Sequence, residues 1–112
     1  TLPYCLHYNL QTFPREIANL ARWWGLDVEG MSDQDAGERL VRACAQLLED
    51  LEMPWRLAEV DGASKEDIPE MAEALSSTPY FVTTATSCCM RVSKREDYQL
   101  LMERMFDGDL PE

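Results

Sequence analysis

The sequence predicts an all-α protein, a compact bundle of about five helices with one long ordered loop before the last of them. Three observations lead there. The stretch from Ser32 to Leu51 reads as one amphipathic helix, with Leu40, Val41, Cys44, Leu47, Leu48 and Leu51 recurring at the i, i+3, i+4, i+7 spacing of a single buried face. Three further segments repeat that period between recognisable start and stop residues. No segment alternates apolar and polar residues over the length of a strand.

Leu2 to Asn9, L-P-Y-C-L-H-Y-N, is a short first helix: Pro3 suits a first turn, and Leu2, Cys5 and Leu6 share a face. Gln11 and Thr12 form a break. Pro14 then opens a helix that runs to Trp24, with Ile17, Leu20, Ala21 and Trp24 as its buried stripe and Gly25 as its stop. Trp23 and Trp24 are adjacent and point in different directions, which leaves one of them partly uncovered. An exposed tryptophan marks an interface in some proteins and is simply half-covered by a neighbour in others, so the pair is an interface candidate. Leu26 to Met31 is a connector.

The long helix takes Ser32 as its N-cap, with Asp33 and Asp35 at the positive end of the helix dipole. Met53-Pro54 ends it. Trp55 and Leu57 anchor the connection that follows, and Asp61-Gly62 is a turn. Ser64 starts the next helix as a capping box with Asp67. Pro69 falls in its first turns, Ile68, Met71, Ala72 and Leu75 form its inner stripe, and Ser76-Ser77-Thr78-Pro79 closes it. Tyr80 to Val92 has no helical period and is rich in β-branched and hydroxyl residues, so it is expected to be an ordered loop packed across the bundle. Ser93 caps the last helix, with Glu96 at the capping-box position. Tyr98, Leu101, Met102, Met105 and Phe106 form its stripe, and Gly108 ends it.

The totals bound the function. The 112 residues suffice for one domain, 1–112. A net charge of −11, from 21 acids against 10 bases, repels a phosphate backbone and excludes the usual nucleic-acid binders. No apolar run is long enough to span a membrane, and the N-terminus lacks the layout of a signal peptide. The four cysteines, Cys5, Cys44, Cys88 and Cys89, form no C-x-x-C pair, and Cys44 falls on the buried face of the long helix. A reducing, cytoplasmic setting is the expectation. The start at Thr1 fits a processed end, a trimmed chain or a fragment.

Catalytic motifs are missing. No G-x-G-x-x-G, P-loop, H-E-x-x-H or G-x-S-x-G occurs. His7 is the single histidine, and helical geometry turns Cys5 and His7 apart, so no metal ligand and no catalytic residue is assigned. A Cys88 or Cys89 nucleophile with His7 as its base has nothing in the spacing to bring the groups together.

The order of segments nevertheless resembles a family. L-P-Y-C-L-H-Y-N is similar to the L-P-x-x-x-x-Y/F-N segment of iron-containing alcohol dehydrogenases and maleylacetate reductases. Glu16 to Gly25, E-I-A-N-L-A-R-W-W-G, looks like their I-A-x-x-L-G helix. The helix from Ala36 to Leu51 with L-E-M-P-W-R-L is similar to their L-G-x-P-x-x-L step, and Ser64 to Ala72 looks like the helix after it. Cys89 to Asp97, C-M-R-V-S-K-R-E-D, stands where the family has N-P-R-x-x-T-x-x-D, and M-F-D-G-D-L-P-E resembles the tail of maleylacetate reductases.

The resemblance implies the C-terminal helical part of a metal-dependent, NAD(P)-linked oxidoreductase. By the same resemblance, the nucleotide-binding domain and the ligands for iron or zinc belong to sequence before Thr1. This chain alone would then bind no cofactor and be inactive. Its partner would be the missing nucleotide-binding segment or, for a stand-alone non-catalytic module, a second copy of itself. The family's loop before the last helix approaches the substrate cleft, which makes Thr84, Cys88, Cys89 and Arg91 the substrate-pocket candidates. Arg91 matches the motif arginine, whereas Cys89 and Met90 replace the family's Asn and Pro.

Overall fold

The computed structural model describes residues 1–88 and 93–111. Every regular element among them is helical, as the sequence predicts. The α-helices are α1 (Leu2–Leu10), α2 (Pro14–Trp24), α3 (Asp33–Asp50), α4 (Ile68–Ser77), α5 (Pro79–Cys88) and α6 (Arg95–Asp107), with single 3₁₀ turns at Leu57–Glu59 and Lys65–Asp67. The chain falls into two units, Thr1–Trp55 with Leu110–Glu112, and Arg56–Asp109.

The first unit holds α1, α2 and α3. The Thr1 carbonyl accepts from the N–H groups of Tyr4 and Cys5, each at 3.1 Å, and starts α1 without a side-chain cap. Pro14 begins α2, its fixed φ suiting the first turn. Gly25 ends α2 in the left-handed region at φ 89°, where a side chain would be strained. Ser32 caps α3 as expected: its hydroxyl oxygen accepts from the Asp35 N–H at 3.1 Å. Arg22, in the last turn of α2, reaches Asp33 in the first turn of α3 at 3.4 Å.

The core of this unit is Leu10, Ile17, Ala18, Ala21, Val28, Ala36, Leu40 and Cys44. Small residues make it possible. Ala18 and Ala21 on α2 and Ala36 and Gly37 on α3 are all buried, so the backbones approach closely. Gly37 lies directly under the fully buried Leu10, and an added Cβ would overlap its Cδ1 methyl and stand 3.1 Å from Cδ2. The Tyr4 ring stacks on Trp55 at 6.5 Å between centroids and 19° between planes.

The second unit packs α4 against α6. Ile68 and Ala72 of α4 and Met102 of α6 are its buried residues, with Leu75, Tyr98 and Phe106 half-buried around them. Its ends differ by small shifts from the expected ones. Ser64 accepts from the Glu66 N–H and caps a 3₁₀ turn that leads into α4, which starts at Ile68. At α6 the cap moves on by one position: Asp97 rather than Glu96 reaches back, accepting from the Lys94 N–H at 2.8 Å. Lys65 pairs with Asp107 at 2.8 Å and Arg95 with Glu73 at 2.9 Å. Both pairs are half-exposed and stabilise little.

Three expectations are corrected. First, Pro79–Cys88 is the helix α5, not part of a long loop. The Thr78 residue is extended at ψ 120°, Pro79 restarts the chain, and the Val82 N–H donates to the Thr78 carbonyl at 3.1 Å. Poor intrinsic propensity costs only a few tenths of a kcal/mol per residue for Thr, Ser and Val, which proline-initiated geometry and packing on α4 overcome. Second, the stripe of α2 is narrower than its pattern: Ile17, Ala18 and Ala21 are buried, whereas Leu20 and Trp24 are exposed. Third, the stripe of α3 surfaces towards its end. Leu40, Val41 and Cys44 are buried, but Leu47 is 42% and Leu51 is 59% exposed.

Two substitutions test these contacts by urea unfolding. Gly37→Ala is expected to destabilise the first unit by about 1–2 kcal/mol, because overpacking against Leu10 outweighs the gain in helix propensity. Ile68→Ala is expected to cost about 2–5 kcal/mol in the second unit, since it removes the largest fully buried side chain among the described residues there.

Candidate functional site

Of the four substrate-pocket candidates, Thr84 and Cys88 fall on α5, four residues or about one turn apart. Cys89 and Arg91 lie outside the described residues. The two interface candidates lie at the end of α2. Trp23 is 80% and Trp24 51% exposed, so both are open rather than one of them.

The tryptophans border an apolar groove of about 360 Å³ in the first unit. Leu20, Trp23 and Trp24 of α2, at i, i+3 and i+4, form one wall. Leu2 and Leu6 of α1, at i and i+4, form the other, and Leu40 and Cys44 of α3 form the floor. The groove exists because α2 commits its small residues to α3. That choice turns Ala18 and Ala21 inward and leaves the larger Leu20 and Trp24 beside the seam. The sequence pattern treats Leu20, Trp24, Leu40 and Cys44 alike as core, and it carries one signal that separates them. A helix whose inner positions hold alanines buries the alanine face when its partner also presents Ala and Gly.

Burial pushes the Cys44 thiol up from its ordinary range. A thiol held neutral is a poor nucleophile, so the groove floor is a packing surface rather than a reactive one. His7 lies in the last turn of α1 and is half-buried. Among the described residues, no three His, Cys, Asp or Glu side chains are grouped to hold a metal ion, and no step of any reaction is assigned to a metal held here.

Comparison with known proteins then decides the family. Residues 1–87 match the model described as the Fe-containing alcohol dehydrogenase family, C-terminal. The chain belongs to this family. Among curated relatives, 1,3-propanediol dehydrogenase of Citrobacter freundii is 36% identical over 72 residues, which are 64% of this chain and 18% of that protein. Lactaldehyde reductase of Escherichia coli (strain K12) is 38% identical over 73 residues, 65% of this chain and 19% of that one. Choline dehydrogenase of Bacillus subtilis (strain 168) is 34% identical over 71 residues, 63% and 16% respectively. The chain thus spans less than a fifth of the length of the curated relatives it matches. No solved structure matches it significantly.

For a member of the Fe-containing alcohol dehydrogenase family, NAD(P) and iron are implied for the full enzyme. The groove between α1, α2 and α3 lies wholly within the residues that match the family, as do Thr84 and its neighbours up to residue 87; Cys88, Cys89, Arg91 and α6 follow the match. No helix among the described residues is long and apolar enough to cross a membrane.

Cys44 supplies a pH test. Its folded-state pKa lies above the unfolded value, so the unfolded chain loses this proton first. The stabilisation is complete below about pH 8.5, the ordinary thiol value, and is lost as pH rises through the folded pKa. Urea unfolding across pH 7 to 10 is expected to show that loss, and Cys44→Ala to remove this component of it. Peptide mapping after iodoacetamide treatment should find Cys44 alkylated far more slowly than the half-buried Cys5.

Proposed function

We propose that the chain is the C-terminal helical segment of a metal-dependent, NAD(P)-linked oxidoreductase that interconverts an alcohol and a carbonyl compound. The observation that carries this reading is the family match over residues 1–87. The relatives add direction: a propanediol dehydrogenase and a lactaldehyde reductase both have names that specify short, oxygen-rich substrates. A short diol or hydroxyaldehyde is therefore the substrate class the reading favours. A maleylacetate reductase-like substrate rests on the M-F-D-G-D-L-P-E tail alone.

In the proposed enzyme, iron or zinc would supply polarisation of the substrate oxygen and a nicotinamide would supply the hydride. Both would be held by the remainder of the enzyme, and this segment would be inactive alone. Its own contribution is to wall the substrate cleft with the end of α5 and the residues after it: Thr84, Cys88, Cys89 and Arg91. A cytoplasmic enzyme fits four cysteines without a C-x-x-C pair.

A second reading, a stand-alone helical module that self-associates, is favoured by one observation, the exposure of Trp23 and Trp24 beside the groove.

The test is an assay of the complete polypeptide encoded by the gene, purified anaerobically and loaded with Fe²⁺ or Zn²⁺. Oxidation of NADH or NADPH with lactaldehyde, and reduction of the oxidised nucleotide with 1,3-propanediol, are the expected activities, and both should vanish on chelation. A folded, metal-loaded protein that turns over neither these nor maleylacetate would overturn the oxidoreductase reading.

A further inference from the structure

We propose that residues 56–67 are a strap across the C-terminal end of α6, that this strap opens ahead of the α4–α6 core, and that rising ionic strength opens it. The proposal concerns the second unit alone and does not depend on the reaction proposed above. Three observations support it.

The first is burial. The segment contains the turns Leu57–Glu59 and Lys65–Asp67, and neither holds a buried residue. Within residues 56–67, Leu57 and Ala63 are half-buried and the others are exposed. Ile68, the next residue, is 1% exposed and belongs to the core. The boundary is sharp. Lifting the strap uncovers little apolar surface, whereas opening α4 uncovers Ile68 and Ala72.

The second is what ties the strap down. Near one end the Lys65 ammonium donates to both carboxylate oxygens of Asp107, each at 2.8 Å, and lies 6.0 Å from the centre of the Phe106 ring. At the other end Arg56 lies over Gly108, so close that a Cβ there would stand 2.9 Å from its Cδ and Nε. The turn Leu57–Glu59 lies against α6. The Lys65 and Asp107 side chains are each 52% exposed, so salt reaches and screens the pair.

The third is the charge of the helix end. Asp107 finishes α6, and Asp109 follows Gly108. Carboxylates there oppose the helix dipole, which favours cations at a C-terminus. Lys65 and Arg56 bring two positive charges to that end, beside Arg104, which pairs with Asp109 at 3.8 Å. Their attraction fades as the Debye length contracts from about 10 Å at 0.1 M salt to about 3 Å at 1 M. Burial of Ile68, Ala72 and Met102 carries no charge to screen. The N–H groups of Gly108 and Asp109 close the last turn on the Arg104 carbonyl at 2.8 and 2.9 Å, and that turn loses the strap's cations when the strap lifts. The strap and the last turn of α6 therefore open together.

Hydrogen exchange of the complete polypeptide encoded by the gene, read by mass spectrometry on fragments covering the strap, α4, the centre of α6 and its end, tests this. Between about 0.05 and about 1 M sodium chloride, exchange at residues 56–67 and 108–109 is expected to rise about two- to fivefold, the range that one exposed ion pair commands, with α4 and the centre of α6 unchanged. Lys65→Met, which keeps an apolar stem over Phe106, is expected to give a similar rise at low salt and to blunt the further response to salt. Exchanging the partners, Lys65→Asp with Asp107→Lys, is expected to restore protection. Strap exchange in step with α4 and the centre of α6 at every salt concentration would overturn the proposal, because the segment would then open only with its whole unit. Exchange at the unprotected rate already at low salt would overturn it, as would exchange that salt leaves unchanged or slows. A swapped pair as open as Lys65→Met would also overturn it.

Discussion

The first unit depends on one close approach. Leu10 ends α1 with its side chain driven against Gly37, a position on α3 where any other residue would put a Cβ into it. With Leu10 seated there, α1 lies across the long helix, and α2, joined to α1 by a short turn, is brought onto α3 through Ala18 and Ala21. The rest follows from volume. Helices brought together by glycine and alanine are near enough to exclude water from the seam, but their large side chains cannot fit between them. Leu20, Trp23 and Trp24 are displaced to the edge, and the groove is the consequence of that displacement.

That geometry explains which parts of the fold could be read from the sequence. Local signals were legible where one residue decides the outcome. Pro14 begins a helix, Ser32 caps one, and Gly25 and Gly108 each close one in the left-handed region. Burial was legible only where pattern and packing agree. Leu40 and Cys44 lie on the expected face and are covered; Leu47 and Leu51 lie on the same face and are not, because a stripe predicts which side of a helix is apolar and not how far its neighbours extend. Helix α5 is illegible in the sequence for a different reason. Its ten residues include three threonines and a valine, whose preference against helix is weak and is overridden by Pro79 and by contact with α4.

The candidate site is less legible than the fold, and the reason is chemical. An active site announces itself in sequence through clustered histidines, paired carboxylates or a glycine-rich turn, each needed for a particular bond to be made or polarised. This chain has one histidine and none of those turns. Residues that wall a cleft carry no such signature, since threonine, cysteine and arginine serve equally in packing. Thr84, Cys88, Cys89 and Arg91 stand out by resemblance of their segment to a family, not by their chemistry, and the family match assigns no role to any one of them. The interface candidates are the opposite case. Adjacent tryptophans are visible in any sequence, and the physics of burial gives them meaning once both are found open.

The extent of the family match and the extent of the fold do not coincide, and the difference is informative. The match stops at residue 87, within α5, while α6 begins at Arg95. Yet α6 supplies Met102 to a core that otherwise consists of Ile68 and Ala72, and it holds the partners of both Lys65 and Glu73. A helix so placed is required for its unit to bury any apolar surface worth the ordering of the chain around it. The need at α6 is for apolar residues at helical spacing, which Tyr98, Met102 and Phe106 meet and many other combinations would meet as well. In this chain the closing helix is held by that packing, with two half-exposed ion pairs beside it.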